Sequence, residues 1–336
     1  MELLVLSGGT VRSVLTYRRC ADAMRAALTA RARGEVFQPL RTILRPDGAP
    51  GLMALMPSFR AGTGYGLKAI TVTPGNPAAG LDSHQGIVLL SSEQTGQPLA
   101  VLNASAVTEI RTAAVSAVAT EELAAPGADV LAIVGTGVQA ASHLKAIAAL
   151  RPLAEVRIAG SGPGRAAKFT ADVAPAALAE VGSTGVRVTA SDSVRAAVDG
   201  AGIVVTATNS AVPVLEREWL APGSHINAVG ASLPQARELD TPTVAGAALF
   251  ADSRESVLAE SGDYLLAAAD GAVGPGHIRA EIGDLLADLA PGQGRADAAE
   301  ITIFESLGLA IEDLAAAMAA YQAARDSGAG SWLEFD

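Results

Sequence analysis

The chain of 336 residues is short of the residues that several large function classes need, and each shortage closes one class off. It has a single cysteine, Cys20, so no intramolecular disulfide can form, and no spaced Cys/His set resembles a zinc site. Among the four histidines, His84, His143, His225 and His277, none lies four residues from another, which excludes a two-histidine helical zinc motif. Positive charge is also scarce. Lys and Arg number 24 against 35 Asp and Glu, a net charge of −11 with no basic run, so the surface should repel nucleic acid and anionic membranes. No apolar stretch reaches the length of a membrane span, and Met1-Glu2-Leu3-Leu4-Val5-Leu6 lacks the basic segment and length of a signal peptide. A soluble, cytoplasmic protein is expected. Aromatic residues are only 4%, so the 50% hydrophobic content is mostly Ala, Val and Leu. Neither a P-loop (Gly-x-x-x-x-Gly-Lys-Ser/Thr) nor a Gly-x-Ser-x-Gly elbow occurs, leaving kinase and hydrolase readings without support.

What the chain does have is a nucleotide-binding signature. Residues 131–140 read Leu-Ala-Ile-Val-Gly-Thr-Gly-Val-Gln-Ala, an apolar run entering Gly135-x-Gly137-x-x-Ala140 and a helical stretch, 138–150, that Pro152 stops. Glycine at 135 permits a sharp turn, glycine at 137 lets backbone approach a pyrophosphate, and the small Ala140 lets helix pack on strand. Phosphate then meets the unpaired N–H groups of a helix N-terminus. By itself this spacing also fits an ordinary strand-to-helix turn. Further apolar runs at 154–159, 202–206 and 224–229 give it a βαβ rhythm, and NAD or NADP is the implied ligand.

The length favours two domains. Residues 1–110 differ in texture, with strand-like runs at 36–45, 52–56, 67–73 and 86–90 between Pro, Gly and Asn turns, the pattern of an α+β domain. A helix at 108–125 leads into the dinucleotide region. From Gly308 on, Ile311, Leu314, Ala315 and Met318 fall at helical spacing, giving an apolar face expected to dock on the first domain. The expected division is 1–114 with 308–336, and 115–307 inserted between them.

Three cations stand where apolar residues belong. Arg111 shares a helix stripe with Ala114, Val115 and Val118. Lys68 alternates onto the same strand face as Ile70 and Val72, and Arg41 onto that of Ile43 and Arg45, a weaker indication. Buried charge requires a counter-charge. A pocket for a small carboxylate answers that need, with arginine gripping it bidentately and lysine supplying a point charge and a transferable proton. Pairing with structural Asp or Glu answers it equally well.

In these residues the chain resembles the ornithine cyclodeaminase/mu-crystallin family of nicotinamide-dependent enzymes. The likeness runs through Gln38-Pro39-Leu40-Arg41-Thr42, Met56-Pro57, Leu67-Lys68, Ser83-His84-Gln85-Gly86, Arg111-Thr112-Ala113-Ala114-Val115-Ser116-Ala117 and Gly135-Thr136-Gly137-Val138-Gln139-Ala140. It continues through Ile226-Asn227-Ala228-Val229-Gly230-Ala231-Ser232, Arg237-Glu238-Leu239-Asp240, Glu260-Ser261-Gly262-Asp263 and Glu312-Asp313. The resemblance implies an α/β protein: a Rossmann dinucleotide-binding domain inserted in an α/β substrate-binding and dimerisation domain, with the active site in the cleft between them. It implies that Arg41, Lys68 and Arg111 hold the substrate carboxylate. The cofactor contacts it implies are Thr112, the turn 135–140, Thr206, Ala207, Thr208 and Val229. Family cyclodeaminases carry a catalytic aspartate where this chain has Ser232, and a hydroxyl cannot serve unaided as that base. The sequence is therefore similar to the ketimine reductases of the family.

The expected reaction is hydride transfer from reduced nicotinamide to the C=N carbon of a cyclic ketimine carboxylate such as Δ1-pyrroline-2-carboxylate or Δ1-piperideine-2-carboxylate, giving L-proline or L-pipecolate. Lys68 supplies a proton or a hydrogen bond, and Ser232 is either a substrate contact or a turn serine bonding its own backbone. Alternatives are an amino-acid dehydrogenase acting on a keto acid with ammonia, a cyclodeaminase, and a non-catalytic NADP-dependent binding protein. At the end of the strand 154–159 no carboxylate is present to bond the ribose hydroxyls; Gly160-Ser161-Gly162-Pro163-Gly164-Arg165 stands there. Ser161 and Arg165 could receive a 2′-phosphate, so NADPH is expected over NADH, although Arg165 also reads as a solvated helix residue. His84 and Glu260-Ser261-Gly262-Asp263 read as structural, and Glu312 and Asp313 as acids favoured at a helix N-terminus.

Overall fold

A computed structural model describes residues 2–162 and 164–335; Pro163, within the stretch after the second dinucleotide-domain strand, lies outside the described residues. Two compact units are formed, Met1–Arg111 with Gly308–Asp336, and Thr112–Leu307. Both are α/β.

The first unit is built on a mixed sheet of β1 (Glu2–Leu6), β2 (Val36–Phe37), β3 (Thr42–Leu44), β4 (Leu52–Arg60), β5 (Gly64–Val72), β6 (His84–Ser91), β7 (Pro98–Asn103) and a C-terminal strand, Ser331–Glu334. Their order is C-terminal strand, β1, β7, β6, β5, β4, β2, with β3 also paired to β4. The strand expected at 36–45 is split into β2 and β3, because Pro39 has no N–H for a ladder. Along β5, Gly66 and Lys68 are buried while Tyr65 is exposed, so one sheet face meets the helices and the other does not. α1 (Gly8–Val14), α2 (Tyr17–Ala32) and a C-terminal helix, Ala310–Ser327, belong to the covered face. A side chain at Gly66 would meet Leu314 at 3.0 Å, so this glycine lets the C-terminal helix lie close on β5. Ser58 Oγ donates to the Ala310 carbonyl and Gln38 Oε1 accepts the Ile311 N–H, which fix the helix start. The single apolar stripe expected on that helix is instead burial on nearly every side through Ala324; Ala316 and Ala317 are buried, whereas Ala315 and Met318 are half-buried. Small alanines let neighbours approach from all directions.

α3 (Ala104–Leu123) carries the chain from the first unit into the second. It starts four residues before the expected 108, because Asn103 Oδ1 accepts the Ala106 N–H and caps it. Arg111 therefore lies two turns inside the helix rather than opening it.

In the second unit β8 (Val130–Val134), β9 (Glu155–Ala159), β10 (Arg187–Ala190), β11 (Ile203–Thr206), β12 (His225–Ala228), β13 (Ala248–Ala251), β14 (Ile278–Glu281) and β15 (Thr302–Glu305) form one sheet. The order is β10-β9-β8-β11-β12-β15-β13-β14, and every neighbouring pair is parallel. The central strands are buried on both faces; Ile203, Val204, Val205, Ile226, Ile303 and Phe304 are fully buried, and so are the polar Thr206, His225, Asn227 and Thr302 among them. From β8 the chain winds outward through β9 to β10, then returns to β11 and winds the other way. The strand order reverses between β8 and β11, where α/β sheets of this kind receive ligands at the carboxyl ends.

Candidate functional site

In the first unit the strand β5, the helix α3 and the start of the C-terminal helix bring Lys68, Arg111, Glu312 and Asp313 together. Lys68 is 2% and Arg111 4% exposed. Lys68 Nζ lies 2.7 Å from Asp313 Oδ2, Arg111 Nε donates to Asp313 Oδ1 at 3.0 Å, and Arg111 Nη1 to Glu312 Oε2 at 3.0 Å. Arg41 joins them through Gly308, whose carbonyl it bonds at 3.1 Å. Gly308 sits at φ +84°, and a Cβ there would meet the Arg111 guanidinium at 2.5 Å, so only glycine lets the chain turn past the arginine. Burial pushes the Lys68 ammonium down to about 8; Asp313 opposes the fall and Arg111 adds to it. Such a lysine exchanges a proton near neutrality, and the cations gathered beside it suit a small carboxylate.

Glu312 and Asp313 occupy the helix N-terminus expected of them and also neutralise the buried cations, a second role that their position alone does not reveal. Two adjacent acids behind an apolar Leu-Gly-Leu-Ala-Ile run were the available signal, since buried cations required partners. His84, at the start of β6, bonds Ser83 Oγ through Nδ1 at 2.9 Å, and its carbonyl accepts from Ser105 Oγ at 2.5 Å.

In the second unit the strand ends gather most of the other candidates. Gly135 follows β8 at φ +133°, and a Cβ there would meet the Ala207 carbonyl oxygen at 2.4 Å. That close approach ties the glycine turn to the end of β11. Gly135 N donates to Ala159 O at the end of β9, Ala207 N to Val134 O, and Val229 N to Thr206 O. Residues 135–140, Ser161, Thr206, Ala207, Thr208 and Val229 thus line the carboxyl edge of four neighbouring strands. Thr112 is buried on α3, and Ser232 is half-buried in the loop after β12. Ser161 and Arg165 are exposed beyond β9.

The turn fits a dinucleotide pyrophosphate on three observations. A Cβ at Gly137 would meet nothing within 4 Å, so the protein's own packing does not demand that glycine. α4 (Val138–Leu150) starts at Gly137 with no side chain capping it, leaving its first N–H groups to a ligand. Gln139 Oε1 is buried without a hydrogen-bond partner. Among the described residues no three His, Cys, Asp or Glu are gathered to hold a metal ion, and no helix is long and apolar enough to cross a membrane.

The profile of the Ornithine cyclodeaminase/mu-crystallin family matches residues 1–328. Ketimine reductase mu-crystallin of Mus musculus is 40% identical over 289 residues, 86% of this chain and 85% of the mouse protein. Among solved structures, Thermococcus litoralis Delta(1)-pyrroline-2-carboxylate reductase in complex with NADH and L-proline superposes with TM-score 0.91 at 33% identity, covering 98% of this chain and 99% of that one. An archaeal alanine dehydrogenase dimer with bound NAD gives TM-score 0.90 at 31% identity, with 100% of both chains covered.

Proposed function

The chain belongs to the ornithine cyclodeaminase/mu-crystallin family, and from that premise we propose that it is an NAD(P)H-dependent reductase of cyclic ketimine carboxylates, turning Δ1-pyrroline-2-carboxylate or Δ1-piperideine-2-carboxylate into L-proline or L-pipecolate. The observation that carries this reading is the gathering of buried Lys68 and Arg111, with half-buried Arg41 beside them at Gly308, around Glu312 and Asp313. An entering substrate carboxylate meets these cations. Relatives named for ketimine and pyrroline-2-carboxylate reduction, similar over most or all of their length, support the same substrate class.

Bound at residues 135–140, a reduced dinucleotide supplies the hydride. The protein's own residues do the rest. Arg111 and Arg41 orient the carboxylate, and with it the ring carbon that is reduced. Lys68, with its ammonium near 8, donates a proton to an imine that enters neutral, or fixes the carboxylate of one that enters protonated. Asp313 holds Lys68 in place at 2.7 Å. Ser232 contacts the substrate without acting as a base, which sets cyclodeamination aside. Ser161 and Arg165, in the stretch 160–165 that carries no acid, favour NADPH over NADH.

The active form proposed is a cytoplasmic homodimer. The sheet face of the first unit away from its helices carries Met53, Tyr65 and Ile87 exposed, with Leu55, Leu67 and Leu89 half-buried, an apolar surface suited to a second copy. A relative described as a dimer and matched over its whole length supports this. Cys20, buried and free, suits a reducing compartment.

The test is oxidation of NADPH and NADH by the purified chain with each cyclic imine, with pyruvate plus ammonia, and NAD reduction with L-ornithine. Imine-dependent oxidation is expected, faster with NADPH. Turnover of pyruvate and ammonia alone would make it an amino-acid dehydrogenase, and proline formed from ornithine would overturn the reading of Ser232.

A further inference from the structure

The carboxylate of Glu238 is fully buried in the second unit, and among the described residues no cation pairs with it. Its two oxygens are nonetheless both used. Oε1 accepts the Thr208 N–H and Oε2 the Gly230 N–H, each at 2.6 Å. Thr208 stands two residues beyond β11 and Gly230 two beyond β12, and these strands are neighbours in parallel register, Thr206 opposite Ala228. One carboxylate thus bridges two adjacent strand ends. The approach it enforces leaves no room for a side chain: a Cβ at Gly230 would lie 2.1 Å from the Thr208 carbonyl oxygen and 2.6 Å from Glu238.

Glu238 is itself held on both sides. Its N–H and that of Leu239 both donate to Asp263 Oδ1, at 2.8 and 2.9 Å, and its carbonyl accepts from Val214 and Leu215. Asp263 follows Gly262, where a Cβ would meet the Ala236 carbonyl at 1.8 Å, so the loop 230–239 is pressed against the start of the helix Gly262–Ala269. The two motifs Arg237-Glu238-Leu239-Asp240 and Glu260-Ser261-Gly262-Asp263, with nineteen residues between them, are the two halves of one clamp. A buried carboxylate without a cation is costly, and here it serves two main-chain amides at the ligand edge of the sheet.

A dinucleotide with its pyrophosphate on residues 135–140 extends in two directions along that edge. The side of β9, with Ser161 and Arg165, takes the adenosine ribose; the opposite side is formed by the ends of β11 and β12. We propose that Glu238 is a positioning residue that clamps the β11 and β12 ends into a fixed rest for the nicotinamide half of the cofactor, while the adenosine half depends on β8 and β9 alone. This rests on the dinucleotide reading of the second unit and is independent of which imine is reduced.

The test separates the two halves of the ligand. Glu238→Gln is isosteric but turns one oxygen into an NH2 that faces an amide N–H. Calorimetric titration of wild type and variant would use NADPH, NADH and the fragments that lack the nicotinamide half, AMP and adenosine 2′,5′-bisphosphate. The expected result is a Kd for the reduced dinucleotides raised about ten- to hundredfold, from leaving a buried donor unmatched, with fragment Kd values within about twofold of wild type. Enhancement of reduced-nicotinamide fluorescence on binding should be lost in parallel. Equal weakening of dinucleotide and fragment, or no weakening of either, overturns the proposal. Wild-type protein that binds neither overturns the dinucleotide reading itself. If Glu238→Gln does not fold, Glu238→Asp, which keeps the charge but is too short to span both amides, is measured against the same ligands with the same expected split.

Discussion

Replacing Asp313 by Asn tests the charge cluster at its most sensitive point. Asp313 Oδ2 is 2.7 Å from Lys68 Nζ, and its charge is what opposes the downward push of burial on the ammonium, which settles at about 8. Only the protonated lysine can give a proton or grip a carboxylate. With that midpoint its charged fraction falls about tenfold between about pH 7 and pH 9, whereas a lysine of ordinary pKa stays almost wholly charged. Asn keeps an oxygen for the Arg111 Nε–H but removes the charge, so the midpoint moves down by about 1–3 on the pH scale, the usual effect of an opposite charge at this range. The sign is fixed: the basic limb of kcat/KM moves to lower pH in the variant, and once the midpoint lies below the assay pH, activity there falls about tenfold for every further step of about one in pH. Breaking a buried pair also costs about 3–5 kcal/mol of stability, so the variant is first checked by urea unfolding at the assay temperature. The assay is imine-dependent NADPH oxidation across the pH range for both proteins. The imine's own titration is common to both and cancels in the ratio of rates. A ratio that stays constant from about pH 6 to pH 9.5 would refute the reasoning, because Lys68 would then not titrate in the reaction.

Arg111→Met should lower kcat/KM for the cyclic imino acid by about a hundredfold or more, an effect of truncating a buried charged contact, with the loss mostly in KM; an uncharged ester of the substrate should be far less affected. For the glycine turn, Gly137→Ala should leave the urea midpoint nearly unchanged, since its Cβ meets open space, yet abolish tight dinucleotide binding, while Gly135→Ala should lose stability as well because its Cβ meets the Ala207 carbonyl at 2.4 Å. Ser161→Asp should turn cofactor preference toward NADH, read as the ratio of kcat/KM values for the two dinucleotides. Glu305 and Asp263 are buried acids whose pKa values are raised by burial and by neighbouring carboxylates, Glu238 beside Asp263 and Asp263 beside Glu305, Asp263 to about 7. Their folded-state pKa lies above the unfolded one, so the stability they allow is complete below the ordinary carboxylate range and is lost as pH rises from there, for Asp263 through about 7. Glu305→Gln should therefore raise Tm at about pH 8, by about 2–4 °C per kcal/mol relieved, and less at about pH 5; equal effects at both would count against the coupling.

Much of this was legible in the order of residues. The dinucleotide fold was readable because each of its devices is local: an apolar strand 130–134, a glycine at 135 that must take positive φ, an uncapped helix start and a stopping proline are neighbours in the chain. Lys68 and Arg111 were readable as buried because alternation and helical spacing place a charge on an apolar face, and burial has a cost that spacing alone exposes. The helix start at Ala104 was less legible, since the cap is one side chain, Asn103, at the end of a strand run, Pro98–Asn103, that leads straight into it. What no local pattern contains is pairing across the chain. That Lys68 meets Asp313, near the other end of the molecule's sequence, and that Glu238 gathers the amides of Thr208 and Gly230 from two different strands, depends on which strands lie side by side. The order of residues determines which groups are costly to bury; only the packed sheet and helices decide which partner relieves the cost, because ion pairs and hydrogen bonds act over a few ångströms of space and not along the chain.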